Sequence, residues 1–208
     1  MNNKKGTLFI ISGPSGVGKS TVIAKVLQAR PDMYFSVSYT TRTPRTGEVD
    51  GIHYNFVDRP EFERMIAADE LLEWAEYSGN YYGTSGKLID SKLNAGIDVL
   101  LDIEVVGSKI VHDKRPDTPL IFVIPPTFEA LSERLHGRKT DAEEVIQRRL
   151  SRAKEELKEV SRYDYLVVND VVDNAAAEVC AIMAAEACRT AKRLHIVEEY
   201  NYGSLSDE

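Results

Sequence analysis

An apolar run at Thr7–Ser12 leads directly into the glycine-rich stretch GPSGVGKS, and a helical pattern at Ser20–Ala29 follows it. A turn of this kind between a strand and a helix points several backbone N–H groups and the positive end of the helix dipole into one concavity. Lys19 can then bridge the β- and γ-phosphates of a bound nucleotide, while the hydroxyl of Ser20 can ligate Mg²⁺. We therefore predict a triphosphate site made by Gly13, Pro14, Ser15, Gly16, Val17, Gly18, Lys19 and Ser20.

Further short apolar runs, rich in branched residues and bounded by turn residues, have the character of buried parallel strands. They lie at Ile97–Ile103, Leu120–Ile124 and Tyr165–Val168. Helical patterns lie between and after them, at Lys87–Ala95, Phe128–Leu135, Asp141 to about Val160 and Asn174 to about Leu194. Strands that alternate with helices predict an α/β fold of the P-loop NTPase type, with a parallel sheet flanked by helices.

Two segments interrupt this alternation. The segment at about 36–85 is rich in tyrosine and in Gly/Pro turns, and it predicts a mixed, β-rich inserted lobe that contains short antiparallel strands. The segment at about 126–152 is dense in arginine and predicts a helical lid. We predict a single domain of residues 1–208, with a core at about 6–35, 86–125 and 153–190 and a polar tail at about 191–208.

Composition excludes several classes of protein. A length of 208 residues suits one compact domain, and 43% hydrophobic residues exclude a disordered or fibrous chain. The net charge of -7 argues against a protein that coats nucleic acid. The apolar runs are too short for a signal peptide or for the ~20 residues of a membrane span. Cys180 and Cys188 match neither a metal site nor a disulfide framework, which favours a cytoplasmic location.

The inserted lobe contains the elements of an anion clamp. Arg42 and Arg45 are three residues apart, with Ser38 upstream and Tyr54 downstream, so two guanidinium groups and two hydroxyls can surround one monophosphate. Further along, the stretch LLEWAEYSGNYYGTS offers Glu73, Tyr82 and Thr84. A carboxylate can accept paired hydrogen bonds from the N1–H and exocyclic amine of guanine, and adenine has no matching pair of donors.

A phosphate loop also occurs in switch GTPases and in hydrolytic motors. A switch GTPase needs a guanine-reading NKxD element, and the nearest stretch, VNDV at Val168–Val171, lacks the lysine. A hydrolytic motor usually has a strand that ends in an acid pair, and VLLDIE ends in Asp102 and Glu104, so this strand alone does not exclude a motor.

Several motifs in the same order resemble the guanylate kinase family over roughly 6–189. They are GPSGVGKS, VSYTTRTPRTGEVDGIHYNFV, SGNYYGTS, LLDIEVVG and LVVND. The resemblance implies transfer of a phosphoryl group from ATP to GMP, with Mg²⁺ held by Ser20 and by Asp102 through water. It implies acceptor binding by Ser38, Arg42, Arg45, Tyr54, Glu73, Tyr82, Thr84 and Asp102. It implies that Arg134, Arg138 and Arg149 close over ATP as catalytic residues with Lys19 and Arg42, and that Asn169 and Arg134 contact the donor nucleotide.

The chain departs from the commonest family pattern at three positions: Glu104 replaces an aspartate, Val106 a glutamine and Lys139 a glycine. Two alternatives to a guanylate kinase stay open. Scaffold proteins use related domains to hold phosphorylated peptides, although these usually have a damaged phosphate loop, and a kinase for another nucleoside monophosphate would differ at Glu73. Whether the long C-terminal helix pairs with a second copy of the chain also stays open.

Overall fold

The structure is a computed structural model that describes residues 5–77, 79–137 and 142–198. Its strands are β1 (Leu8–Ser12), β2 (Tyr34–Phe35), β3 (Tyr39–Thr40), β4 (Asn55–Phe56), β5 (Leu71–Tyr77), β6 (Asn80–Ser85), β7 (Val99–Asp102), β8 (Leu120–Ile124) and β9 (Tyr165–Val168). Its helices are α1 (Lys19–Ala29), α2 (Arg59–Ala67), α3 (Gly86–Asn94), α4 (Val105–Lys114), α5 (Phe128–Gly137), α6 (Glu143–Lys158), α7 (Val172–Ala187) and α8 (Thr190–Glu198), with a 3₁₀ turn at Val160–Arg162.

The main sheet is five-stranded and parallel, in the order β2-β7-β1-β8-β9. Its central strand β1 is buried on both faces: Phe9 and Ile11 join the core that contains residues of α1 and α7, while Leu8 and Ile10 join the core that contains residues of α3 and α4. Burial on both faces explains why this strand is a continuous apolar run. The predicted α/β fold is confirmed, and the four predicted apolar runs form β1, β7, β8 and β9.

A second, four-stranded sheet lies within the predicted inserted lobe, in the order β4-β3-β6-β5. Strand β6 is antiparallel to both β3 and β5, as predicted, but β3 and β4 pair in parallel. The lobe also contains α2, which was not predicted. Asp58 caps this helix by accepting a hydrogen bond from the backbone N–H of Glu61, and a proline occupies the first turn.

Other differences concern the helices. Helix α4 was not predicted, and the single helix predicted from Asn174 to about Leu194 is two, α7 and α8, with Cys188 and Arg189 between them. Helix α8 therefore occupies residues 191–198 of the predicted tail, and 199–208 lie outside the described residues. Helix α6 runs unbroken across the predicted boundary between lid and core. Nowhere in the described ranges is a helix both long and apolar enough to cross a membrane.

Candidate active site

The phosphate loop connects β1 to α1 and depends on glycine at particular positions. Gly13 has φ 144°, and a Cβ at this position would lie 2.2 Å from the carbonyl oxygen of Val123 on the neighbouring strand. Gly18 is the N-cap residue of α1 with φ 91°, and a Cβ there would lie 2.6 Å from Nδ2 of Asn169. Other residues rarely adopt these backbone angles, so the loop requires its glycines both for shape and for space.

The loop encloses one side of a pocket of about 170 Å³. Lys19 donates from Nζ to the carbonyl oxygen of Gly13 at 2.7 Å, which holds the ammonium group within the loop. The pocket is lined by Gly13, Pro14, Ser15, Gly16, Gly18, Lys19, Ser20, Asp102, Glu104 and Glu156. Strands β1 and β7 are parallel neighbours, so the loop and Asp102 meet at the same edge of the sheet, where ligands bind in folds of this type.

The pocket carboxylates have altered acidity. Burial raises the pKa of Asp102, an effect that the nearby Lys19 charge opposes and Glu104 reinforces. Burial also raises the pKa of Glu156, while Arg152 acts in the opposite direction. A cation in this pocket would therefore favour the ionised carboxylates.

The oxygen atoms available in the pocket fit Mg²⁺. Ser20 and Asp102 both line it and supply a hydroxyl and a carboxylate, which are ligands that this hard cation accepts. Across the described parts of the chain, no three His, Cys, Asp or Glu side chains gather as a metal site. A magnesium ion that binds together with nucleotide phosphates needs only one or two protein ligands, so the two observations agree.

The carbonyl oxygen of Val17, in the phosphate loop, accepts two side-chain hydrogen bonds. One comes from Arg134 Nη1 at 3.0 Å and the other from Asn169 Nδ2 at 2.7 Å, and Arg134 Nη2 also donates to the carbonyl oxygen of Asn169 at 2.9 Å. Asn169 is only 2% exposed, and its Oδ1 is buried without a hydrogen-bond partner. The structure thus brings two of the predicted donor-site residues, Arg134 and Asn169, onto the loop.

Two further arginines were predicted to act from the lid. Arg149 lies on α6 and is partly exposed. Arg138 lies outside the described residues, as does Lys139, one of the three departures from the family pattern.

The predicted acceptor clamp is centred on Arg42. Its guanidinium group donates from Nη1 and Nη2 to the two carboxylate oxygens of Glu48, each at 2.9 Å, and Glu48 Oε2 also accepts from the backbone N–H of Arg45 at 2.7 Å. These contacts lower the pKa of Glu48 to about 2, chiefly through the hydrogen bonds from Arg42. The side chain of Arg42 is only 13% exposed, whereas Arg45 is exposed. An internal carboxylate therefore occupies the bidentate face of Arg42.

Aromatic residues form a wall beside Arg42. The Arg42 guanidinium carbon lies 5.5 Å from the ring centre of Tyr54, and the rings of Tyr54 and Tyr82 are 5.9 Å apart in an edge-to-face arrangement. Burial raises the pKa of Tyr54, and the charges of Tyr82, Asp102 and Glu104 act in the same direction. Tyr54 therefore lies within electrostatic range of Asp102 and Glu104, two residues that line the pocket of the phosphate loop.

The predicted base-reading residues meet in the second sheet. Glu73 on β5 pairs in register with Thr84 on β6, and Thr84 Oγ1 donates to Glu73 Oε1 at 2.6 Å. Ser38 Oγ lies 3.5 Å from Thr84 Oγ1. Glu73 is 5% exposed, and burial raises its pKa, opposed by the hydrogen bond from Thr84. A Cβ on Gly107 would lie 2.9 Å from Glu73 Oε2, so a glycine at this point of α4 leaves room for the carboxylate.

Four residues of this region were not predicted as site residues: Glu48, Glu104, Arg152 and Glu156. Glu48 follows Arg42 by six residues in a Gly-containing turn, so its contact with the neighbouring arginines could have been predicted from the sequence. Arg152 donates to Glu104 and to Glu156, and Glu104 lies 48 residues away, which leaves no local sequence signal for that contact.

A larger cavity, of about 780 Å³, adjoins the pocket of the phosphate loop at Glu156, which lines both. It is lined by residues of α4 and the C-terminal half of α6 together with Leu120, Arg162 and Tyr163, and it contains no residue of the phosphate loop or the clamp. Glu156 therefore lies between the two spaces, and Arg152 lines the larger one.

Comparison with known proteins agrees with this geometry. A family model described as guanylate kinase matches residues 5–186. Relatives named guanylate kinase include one from Desulfitobacterium hafniense (strain Y51), 46% identical over 95% of this chain and 99% of that protein. Another, from Geobacter sulfurreducens, is 45% identical over 94% of this chain and 97% of that protein. A crystal structure of guanylate kinase from Anaplasma phagocytophilum superimposes with a TM-score of 0.80, at 32% identity, covering 97% of this chain and 98% of that one.

Proposed function

The chain belongs to the guanylate kinase family, and from this we propose how its residues divide the reaction between a donor half and an acceptor half. The protein is an ATP-dependent nucleoside monophosphate kinase that phosphorylates GMP to GDP and releases ADP. The reaction belongs to purine nucleotide metabolism. The roles that follow for individual residues, and the use of Mg²⁺, are our proposals.

The donor half is the phosphate loop with α1 behind it. Its backbone N–H groups bind the β- and γ-phosphates of ATP, and Lys19 neutralises charge on the group in transfer. Ser20 and Asp102 would hold Mg²⁺ with a hydroxyl and a carboxylate. The ion, when bound, neutralises phosphate charge and orients the triphosphate. Asn169 and Arg134 bind the nucleoside side of ATP in this proposal, which is supported by the unpaired Oδ1 of Asn169, an acceptor for the adenine amine.

The acceptor half is the clamp with the buried Glu73. Arg42 and Arg45 hold the GMP phosphate, and the hydroxyls of Ser38, Tyr54 and Tyr82 complete its hydrogen bonds. Glu73 accepts from guanine N1–H and the exocyclic amine, with Thr84 fixing its carboxylate. The observation that carries this proposal is the Glu73–Thr84 pair: a carboxylate with 5% exposure is a strong selector for a base that donates two hydrogen bonds.

The transfer itself requires little covalent chemistry. The attacking oxygen belongs to the GMP phosphate and already carries negative charge, so no side chain needs to act as a strong base. Positioning and charge neutralisation supply the rate. Water must be excluded, because it would otherwise accept the phosphoryl group, and we propose that the lobe at about 36–85 and the lid at about 126–152 close over the substrates for this purpose. Arg138 and Arg149 are expected to come over ATP in that closed state.

Chromatography of the products tests the proposal. With ATP, GMP and Mg²⁺, the protein is expected to form ADP and GDP in equal amounts, and to release little ADP when GMP is left out. ADP formation that does not depend on GMP would identify a hydrolase. No GDP at all would favour a domain that only binds a phosphorylated partner.

The location of the protein and its assembly state are further proposals. We propose a cytoplasmic location, because the donor is ATP and the two cysteines are unpaired thiols. Pairing of two copies through the C-terminal helices stays a prediction that sedimentation would test.

A further inference from the structure

Arg152 connects two carboxylates that come from different parts of the chain. Its Nη2 donates to Oε2 of Glu104, in the segment between β7 and α4, and its Nε donates to Oε1 of Glu156 at 2.8 Å, one turn along α6. Arg152 thereby ties α6 to the end of the strand that carries Asp102.

Glu104 is placed unusually for a residue in its position. It is the N-cap residue of α4, yet its side chain makes no capping hydrogen bond. A glutamate is poorly suited to that cap, since aspartate, asparagine and serine reach the first-turn N–H groups with shorter side chains. The longer side chain instead reaches α6, so its carboxylate links two elements rather than ending one.

Arg152 contacts two residues of the nucleotide pocket without lining the pocket itself. Glu104 and Glu156 line the pocket of the phosphate loop, and Glu156 also lines the larger cavity, where Arg152 lies. Arg152 can therefore hold the two carboxylates without meeting the donor phosphates.

The charges give this arrangement a consequence for ATP. Three carboxylates line the pocket, those of Asp102, Glu104 and Glu156, and Lys19 is the cationic side chain among the lining residues. A triphosphate that enters this space meets repulsion from any carboxylate that is not neutralised. Paired with Arg152, Glu104 and Glu156 present less negative charge to the triphosphate and are held in fixed positions.

We propose that Arg152 is a positioning residue for the donor half of the site, which holds Glu104 and Glu156 against the pocket wall and fixes α6 relative to β7. The inference rests on the proposed function, because it assigns ATP to this pocket.

The test uses three variants of the full-length protein, measured for KM of ATP, KM of GMP, kcat and the dissociation constant of Mg²⁺–ATP by calorimetry. Arg152→Gln is expected to raise both the KM and the dissociation constant for ATP roughly tenfold, with the KM for GMP within about twofold of wild type. Arg152→Lys keeps the charge but loses the fork of donors, and about a threefold rise is expected. Arg162→Gln is the matched control: it removes an arginine paired with a glutamate, Glu159, outside the nucleotide pocket, and ATP affinity should not change.

A double-mutant cycle with Glu104→Gln measures whether Arg152 and Glu104 are coupled in ATP binding. A general loss of stability in the variants would not produce this coupling. If the two residues act through each other, the combined variant raises the KM for ATP by less than the product of the single effects. Unchanged ATP affinity in Arg152→Gln, equal losses for ATP and GMP, or independent effects in the cycle would each overturn the proposal. Should Arg152→Gln not fold, unchanged ATP affinity in Arg152→Lys would do so.

The calorimetric constant separates this inference from the proposed function. A wild-type protein that binds ATP but does not phosphorylate GMP would contradict the proposed function, while the effect of Arg152→Gln on ATP binding would still decide the role of Arg152.

Discussion

The phosphate loop and the proposed acceptor clamp obtain their shape in different ways. The loop is backbone, held by glycines at positive φ and by a strand whose Phe9, Ile10 and Ile11 are fully buried. The clamp is made of side chains that lie mostly in the segments flanking the two-residue strands β3 and β4, and its central Arg42 is already bound to Glu48. We therefore expect the proposed donor half to be preorganised by the core and the proposed acceptor half to exchange hydrogen-bond partners when a phosphate binds.

This difference predicts where each substitution acts. Changes in the loop should affect turnover, since the backbone positions the substrate and Lys19 adds charge in the transition state. Changes in the clamp should affect mainly the KM for GMP, because side chains there exchange one anion for another.

The largest effect is expected for Lys19→Ala. Removing a cation from the group in transfer should lower kcat by about a thousandfold, with little change in thermal unfolding temperature. Lys25→Ala is the control, since Lys25 lies on the same helix in an exposed pair with Asp173. Near-normal turnover of Lys19→Ala would contradict the claim that changes in the phosphate loop act on kcat.

Arg42→Ala should come next, with a rise in the KM for GMP of about 30-fold and a smaller fall in kcat. Arg59→Ala, which removes an exposed arginine paired with Glu63 in the same lobe, should change neither constant. An unchanged KM for GMP in Arg42→Ala would remove Arg42 from the clamp.

Glu48→Gln tests what the carboxylate of Glu48 does for Arg42. The carboxylate either holds the guanidinium group in the orientation that binds GMP or competes with the GMP phosphate for it. Loss of the charged bidentate contact should leave the guanidinium group less fixed and raise the KM for GMP about fivefold. Glu63→Gln is the control in the same lobe. A lower KM in Glu48→Gln would instead mean that Glu48 only competes with the phosphate.

The smallest effect concerns pH. Burial raises the pKa of Glu73, so as pH falls through that pKa the carboxylate gains a proton and loses an acceptor for guanine. The KM for GMP should therefore rise a few-fold on acidification. The phosphate of GMP also titrates, with a pKa of about 6. The variant Glu73→Gln keeps the pH dependence that comes from this phosphate and loses the pH dependence that comes from the carboxylate of Glu73. Identical pH profiles for wild type and Glu73→Gln would contradict the assignment.

Parts of the fold that depend on local sequence patterns could be predicted, and parts that depend on contacts between distant residues could not. The loop and the four apolar strands β1, β7, β8 and β9 carry local signals, a glycine pattern and apolar runs, and these were predicted. The burial predicted for β9 was wrong, because β9 is an edge strand that leaves Leu166 and Val168 exposed. Strand β2 is two residues long and is recognisable only by its pairing with β7. Helix α4 begins with two valines and has no side-chain cap, so its start resembles the end of a strand. Helix α2, by contrast, has a capping aspartate and a proline in its first turn, and that signal was available.

Site residues follow a similar rule. The sequence suggested that Glu73 and Thr84 act together and that Arg42 lies with Tyr54 and Tyr82, and the structure places these side chains in contact or close proximity. The partners of the arginines were not predicted. A bond from Arg152 to Glu104 depends on how α6 packs beside β7, which no local pattern encodes.

The most direct test of the whole account is the acceptor specificity of the wild-type protein. The ratio kcat/KM is measured for GMP, AMP, UMP and CMP with ATP as donor. A buried Glu73 that accepts two hydrogen bonds predicts a preference for GMP over AMP of roughly a thousandfold or more. Comparable values for GMP and AMP would contradict the claim that the inserted lobe selects the acceptor.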